Sequence, residues 1–301
     1  MTLPNFIIIG AMKSGTTSLY HYLAQHPQIY MSSVKEPKFF ALEGTTWDAE
    51  PLGPGGLAKV KGIRDWDAYQ ELFSGVSGET AIGEASPLYI YAPLAAQKIQ
   101  QTLPNVKIIA ILRHPVDRAY SHFLHWVQRG LEPLGADFLK VWNEEDARVA
   151  QDWSPNYHYK HRGFYYTQLK RYYDRFSSDR IRVYLFEELQ KDPIALAQHI
   201  FNYLEVDPSF VPQTDQKYNI SQIPGNAQLD RLIDRPNFVK KLLKPFIPQA
   251  WRDRLKKSLK QKNAIKPKLD PELRHQLTQE YREDILKLQD TIQKDLSVWL
   301  K

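Results

Sequence analysis

One ammonium and three hydroxyls crowd around Gly15 in the stretch Gly10-Ala11-Met12-Lys13-Ser14-Gly15-Thr16-Thr17. The apolar, β-branched run Phe6-Ile7-Ile8-Ile9 leads into this stretch, and Leu19, Tyr22 and Leu23 follow it at helical spacing. The segment therefore reads as a buried parallel strand, a glycine-bounded turn and a helix start. The first amides of a helix have no intrahelical acceptor and its dipole makes that end positive, so with Lys13 and the hydroxyls of Ser14, Thr16 and Thr17 the turn is equipped to grip a phosphate-like anion. Residue order narrows the chemistry. A nucleoside-triphosphate loop reads G-x-x-x-x-G-K-[ST], with lysine after the second glycine and a hydroxyl for magnesium behind it. Here Lys13 precedes Gly15 and no residue stands clearly in the magnesium-binding place. The bland alternative is a strand–helix turn without a ligand, but a lysine flanked by Ser-Gly-Thr-Thr has little packing purpose.

The elements around this turn follow from periodicity and punctuation. Pro37 marks Met31 to Phe40 as extended or turning, and residues 43–66, rich in Gly, Pro and Trp, read as a long loop in which Trp47 and Trp66 could stack on sugar rings or, just as often for tryptophan in a lid, serve packing. A short helix is predicted over 67–73, a strand running into a turn over 80–89, a helix over 92–103 and a second buried strand over 106–112 that delivers Arg113-His114-Pro115 at its end. Helices are predicted over 116–128 and 165–176, a strand over 181–186, and a helical region from Glu187 to Leu204. Strands alternating with helices predict an α/β fold, a P-loop-like three-layer sandwich with a central parallel sheet flanked by helices. Ligands in such sheets collect at the carboxyl ends of strands, where the Lys13 turn, Glu84 and Arg113 converge. Asp270-Pro271-Glu272 opens a long helix with a capping aspartate and a proline in its first turn, and Leu273, Leu277, Tyr281, Ile285, Leu288, Ile292, Leu296 and Trp299 make one stripe along it. One domain over residues 1–301 is expected, with a C-terminal helical extension from about 225 to 301.

The chain has 301 residues, 43% hydrophobic and 25% charged, enough for one sizeable core. It has no cysteine, so disulfide and thiolate chemistry are excluded. The net charge of +6 implies an anionic ligand, but no zinc-finger spacing or RNP-like aromatic sequence accompanies it, and nucleic acid is not the expected partner. The sequence enters its first strand within five residues, from which a cytoplasmic, bacterial protein without a transmembrane segment is expected. Residues 239–262 are strongly basic, with Asp253 the only acid, a candidate peripheral contact for a membrane surface or anionic glycan; a solvated basic face is the commoner case. Oligomeric state is not legible.

Three motifs together resemble the sulfotransferases that use 3′-phosphoadenosine 5′-phosphosulfate (PAPS), especially the glycan-modifying, heparan-type and bacterial branch. They are the loop Lys13-Ser14-Gly15-Thr16-Thr17; the stretch Ile109-Ala110-Ile111-Leu112-Arg113-His114-Pro115-Val116-Asp117-Arg118-Ala119-Tyr120-Ser121, similar to I-x-x-x-R-x-P-x-x-R-x-x-S; and Gly83-Glu84-Ala85-Ser86-Pro87-Leu88-Tyr89, similar to G-E-x-[ST]-P-x-Y. The resemblance implies that the first loop binds the 5′-phosphosulfate and that Arg113 and Ser121 hold the 3′-phosphate. A guanidinium at a strand end can grip phosphate bidentately, and a serine two turns down the next helix can add a hydroxyl. It implies Glu84 as the base that takes the acceptor's proton, which suits a carboxylate whose pKa burial or neighbours raise; the alternative is a capping or salt-bridging glutamate. Glu36, in Lys35-Glu36-Pro37-Lys38-Phe39-Phe40, resembles a second acidic position near the acceptor, or is a structural ion pair. Arg118 reads as a fold-stabilising or supporting residue, and Arg162-Gly163-Phe164-Tyr165-Tyr166 as a segment near the nucleotide. Lys217-Tyr218-Asn219-Ile220 through Pro224-Gly225-Asn226 is the counterpart of a late basic loop, without the family's glycine-arginine cluster. His21, His122 and His125 are read as surface or core histidines.

The expected reaction is in-line transfer of a sulfuryl group from PAPS to an acceptor hydroxyl on a glycan or glycolipid, a small-molecule or oligosaccharide acceptor, leaving adenosine 3′,5′-bisphosphate. Lys13 would stabilise developing charge while Glu84 takes the proton, with no metal. One rival is a P-loop kinase or nucleoside-triphosphatase, which wants a strand ending in aspartate for magnesium where this chain has Arg113. The other is a non-catalytic relative that binds anionic glycan.

Overall fold

The structure is a computed structural model and describes residues 2–44, 61–215, 223–224, 264–265 and 267–301. Five strands, β1 (Phe6–Gly10), β2 (Ile29–Met31), β3 (Ala81–Ala85), β4 (Lys107–Leu112) and β5 (Ile181–Leu185), pair in parallel in the order β2-β3-β1-β4-β5. Strand β1 is central and wholly buried, which is why its sequence is a continuous apolar run rather than an alternation. Its two faces feed separate cores. Ile7 and Ile9 join Ile108, Ala110 and Leu112 on one side, and Phe6 and Ile8 join Ile109 and Ile111 on the other. Helices α4 (Ala95–Thr102), α5 (Pro115–Gln128) and α7 (Tyr165–Tyr173) cover the first face; α1 (Thr16–Leu23) and α9 (Pro193–Tyr203) cover the second. The three layers are those expected from the alternation of elements.

The differences from expectation have local causes. Asp65 caps the short helix α3 (Trp66–Glu71) through Ala68 N–H at 2.9 Å, so it begins and ends earlier than predicted. The helical region after β5 is two helices, α8 (Phe186–Lys191) and α9, because Pro193 supplies no N–H and Asp192 caps a fresh start through Ala195 N–H at 2.9 Å. Helix α6 (Phe138–Ala150), capped by Asp137 and buried through Phe138, Val141 and Trp142, was not predicted; charged residues break up its apolar face. The long C-terminal helix is divided into α10 (Pro271–Gln279) and α11 (Arg282–Ile292), followed by a 3₁₀ turn at Ser297–Leu300. Tyr281 sits at the division, its ring buried 4.8 Å from Phe164 and its hydroxyl donating to Lys160 O at 2.8 Å. The apolar stripe continues across the break, so spacing alone does not reveal it.

These C-terminal elements close on the sheet's carboxyl edge. Arg274 pairs with Asp117 at 3.0 Å, Lys294 with Glu188 at 2.6 Å, and His114 Nε2 lies 3.0 Å from Trp299 O. Asp284 caps the amino end of α7, accepting from Tyr166 N–H at 2.9 Å. Most of the loop at 43–66, including Trp47, the basic segment 239–262 and most of the late basic loop lie outside the described residues. Of the expected extension from 225, only 264–265 and 267–301 are described. Among the described residues no helix is long and apolar enough to cross a membrane.

Gly83, one residue before Glu84, has no room for a side chain: a Cβ there would lie 2.2 Å from the buried Phe6 ring. We expect Gly83→Ala to destabilise the protein by about 1–3 kcal/mol, read as a lowered urea midpoint with unchanged slope.

Candidate active site

The turn after β1 is built around two left-handed residues, Lys13 at φ +67° and Gly15 at φ +97°. Gly15 is the N-cap of α1 with no side-chain cap, and a Cβ on it would lie 2.5 Å from Leu189 Cδ2, so only glycine lets α1 start this close to α8. The lysine conformation is uncommon for a residue with a Cβ and costs on the order of 1–3 kcal/mol, which the surrounding sheet must hold in place. Arg113 arrives from the end of β4, its Nη1 3.4 Å from Lys13 O and its guanidinium over the Phe186 ring at 4.9 Å. Tyr165 hydroxyl donates to Arg113 O at 2.9 Å and fixes the backbone behind it. Burial and then the Arg113 charge push the Lys13 ammonium down to about 8. Burial also lowers Arg113.

A cleft of about 690 Å³ opens over this turn, lined by Lys13, Gly15, Thr16 and Thr17 together with Arg113 and Ser121. It runs across the carboxyl edge of the sheet. Ser121 and His125 from α5 and Arg129 at its C-cap border it on one face, Phe186 and Leu189 from α8 on the other, and Glu36 and Lys38 from the segment after β2. Ser14 is wholly buried and does not line it.

The two glutamates singled out from sequence sit in different surroundings. Glu84 has no exposed surface and is not among the lining residues. Its carboxylate accepts from Tyr69 hydroxyl at 3.3 Å and Ser86 hydroxyl at 2.8 Å, while burial raises its pKa to about 7. Glu36 lines the cleft with its side chain 36% exposed, flanked by Lys35 at 2.9 Å and Lys38 at 3.4 Å. Burial alone would raise its pKa, but the two ammonium groups hold it below the usual carboxylate value. The segments are linked: Lys38 N–H donates to Ser86 Oγ at 2.9 Å, and Ser86 donates on to Glu84. The expectation that Glu84 meets the acceptor thus finds its carboxylate behind the wall, with Glu36 at the surface.

His125 lines the cleft, and burial and Lys13 push it down to about 4, so it is neutral near pH 7. His122 is wholly buried, and burial holds it well below the usual histidine value; burial also lowers His21. Arg118 is wholly buried and donates to Tyr159 O. Phe186 and Lys38 were not singled out for the site from sequence. Phe186 stands just past the end of β5, one strand over from Arg113, and the rule that places ligands at strand ends would have found it.

A family profile described as the sulfotransferase family matches residues 4–210. Among characterised relatives, the chain is 38% identical over 149 residues to a membrane-associated sulfotransferase, kil1, of Dictyostelium discoideum, covering 48% of this chain and 28% of that one. It is 30% identical over 220 residues to the bifunctional heparan sulfate N-deacetylase/N-sulfotransferase 4 of Mus musculus, covering 69% of this chain and 23% of that one. The chain thus spans about a quarter of the length of these curated relatives. The solved sulfotransferase from Alicyclobacillus acidocaldarius superposes over 100% of both chains with a TM-score of 0.77 and 33% identity. With the strand-turn-helix loop at the head of the matched region and a solved sulfotransferase sharing the whole fold, the chain belongs to the sulfotransferase family.

Proposed function

We propose that this protein transfers a sulfuryl group from PAPS to a hydroxyl of a glycan-type acceptor. The observation that carries the reading is the meeting in one cleft of a turn suited to an anion, a second cation with a serine behind it, and the half-buried carboxylate of Glu36. The residues fit the donor: the uncapped start of α1, Thr16, Thr17 and the Lys13 ammonium suit a phosphosulfate, and Arg113 with Ser121, eight residues on, suits a separate phosphate. PAPS, when bound, supplies the activated sulfuryl group. The mouse heparan sulfate relative supports the glycan acceptor, and the basic cleft supports a nucleotide with several charges. A peripheral membrane contact through residues 239–262 and a cytoplasmic location extend the same reading.

The chain's own work divides among three groups. Lys13 and the first amides of α1 stabilise charge developing on the sulfuryl and bridging oxygens. Arg113, stacked on Phe186, orients the nucleotide end. Of the two carboxylates, Glu84 is the stronger base and Glu36 the reachable one. A general base must lie within hydrogen-bond reach of the proton before its pKa matters. Glu36 is therefore the proton acceptor in this reading, and Glu84 positions it through Ser86 and Lys38 N–H. A kinase reading lacks an aspartate at the end of β4, where Arg113 stands.

Calorimetry of adenosine 3′,5′-bisphosphate without magnesium, beside ATP, tests the reading: tight bisphosphate and much weaker ATP binding are expected, and magnesium-dependent ATP binding alone would replace it with phosphoryl transfer. Glu36→Gln should lower kcat by about 10²–10⁴ with bisphosphate affinity unchanged. A larger kcat loss in a folded Glu84→Gln than in Glu36→Gln would return the proton to Glu84. Since Lys13 loses its charge at about pH 8 and phosphate monoesters gain a second proton only at about pH 6, bisphosphate affinity should be level near pH 7 and fall above pH 8, by up to about tenfold per pH unit. The fall should be absent in Lys13→Arg, which stays charged throughout.

A further inference from the structure

Arg162 is the cleft's most unusual cation. It is only 5% exposed, borders the cleft, and stands before α7 in a short 3₁₀ turn, His161–Gly163. Nη1 points at Met12 Sδ, 3.1 Å away, and the guanidinium lies over the Tyr91 ring at 5.2 Å. Tyr91 is itself fixed: its hydroxyl donates to His158 Nδ1 at 2.7 Å, and His158 Nε2 faces Trp153 O at 3.1 Å, which sets the tautomer. Nε and Nη2 have no hydrogen-bond partner among the described residues. These two nitrogens share one edge of the planar guanidinium, the edge that receives two oxygens of a carboxylate, sulfate or phosphate side by side.

No internal counter-charge answers that edge. The neighbouring buried carboxylate, Glu145, accepts from the N–H groups of Tyr159, Lys160 and His161 and from His161 Nδ1. Arg118 and His122 nearby add positive charge or none. Leaving a buried charged donor unpaired is costly, so an edge held this way calls for a partner from outside. Burial lowers the Arg162 pKa to about 10, and Glu36, which lines the same cleft, counters this in part. Met12, an unbranched thioether that also lines the cleft, covers the Nη1 end of the guanidinium and leaves the other edge to a ligand.

We propose that Arg162 forms a second anion site in the cleft, distinct from the two nucleotide contacts, that takes a non-nucleotide oxyanion edge-on through Nε and Nη2. The inference rests on the sulfotransferase reading. The oxyanion is either an acidic group on the acceptor or the sulfuryl group in transit, and both present the oxygens this edge requires.

The test is calorimetric titration of inorganic sulfate into the full-length protein saturated with adenosine 3′,5′-bisphosphate, so that the phosphate contacts are filled. Sulfate should bind, and Arg162→Met should weaken it by at least about tenfold while bisphosphate affinity stays within about twofold. Arg162→Lys keeps the charge without the fork and should weaken sulfate binding as well; it decides the matter should the Met variant not fold. Competition by acetate assigns the site to an acceptor carboxylate, and its failure to compete assigns it to the sulfuryl group. Sulfate binding that is absent from the wild-type complex, or unchanged in both variants, overturns the inference and leaves the proposed function standing. Absence of bisphosphate binding strikes the proposed function and this site together.

Discussion

Lys13 and Arg113 are brought to one spot by backbone alone. Strand β1 pairs with β4 as far as Gly10 and Ala110, Ala11 N–H donates to Ile111 O at 2.7 Å, and the two cations then leave adjacent strand ends toward the same cleft. Burial and then their mutual repulsion lower the Lys13 proton affinity, a strain that the anion proposed to bind there would relieve. The rest of the architecture resists that repulsion. Phe186 backs the Arg113 guanidinium, Tyr165 holds its carbonyl, and His114 is tied to Trp299. Gly15 lets α8 press against the turn from the other face.

The pair Glu36 and Glu84 shows how basicity and access divide between residues. The same desolvation that raises the Glu84 pKa seals it behind Tyr69 and Ser86, whereas the exposure that opens Glu36 to the cleft also lets Lys35 and Lys38 hold its pKa down. Glu36 and Lys38 both have left-handed backbones, φ +62° and +61°, on either side of Pro37. Conformations of that kind persist when the surroundings over-determine them, and here hydrogen bonds to Ala85 O and Ser86 Oγ do so.

Much of this was legible in the sequence for reasons that can be named. The β-branched runs at 6–9 and 106–112 have no use except as interior parallel strands, and Gly15 after Lys13 marks the turn. Asp270-Pro271 marked a helix start correctly because capping is a local matter. What depends on distant partners was not legible. The burial of Glu84 needs Tyr69 from α3, the break at Tyr281 needs Phe164 and Lys160, and the value of Phe186 needs Arg113 from the neighbouring strand. Helix α6 was missed because Glu144, Glu145, Asp146 and Arg148 disguise its apolar face, and two of these, Glu145 and Arg148, are in fact buried and paired.

The clasp made by the C-terminal elements bears on how the molecule comes together in time. The contact between His114 and Trp299 spans 185 positions and that between Arg274 and Asp117 spans 157. Such closures lose the most chain entropy and slow folding, whereas β1, α1 and the pairing of β4 with β1 span shorter stretches. The sheet and its anion turn can therefore organise before the backbone behind Arg113 is pinned. Once closed, the clasp is held by more than its polar contacts, since Leu277, Tyr281, Ile285, Leu288, Leu296 and Trp299 join the larger core.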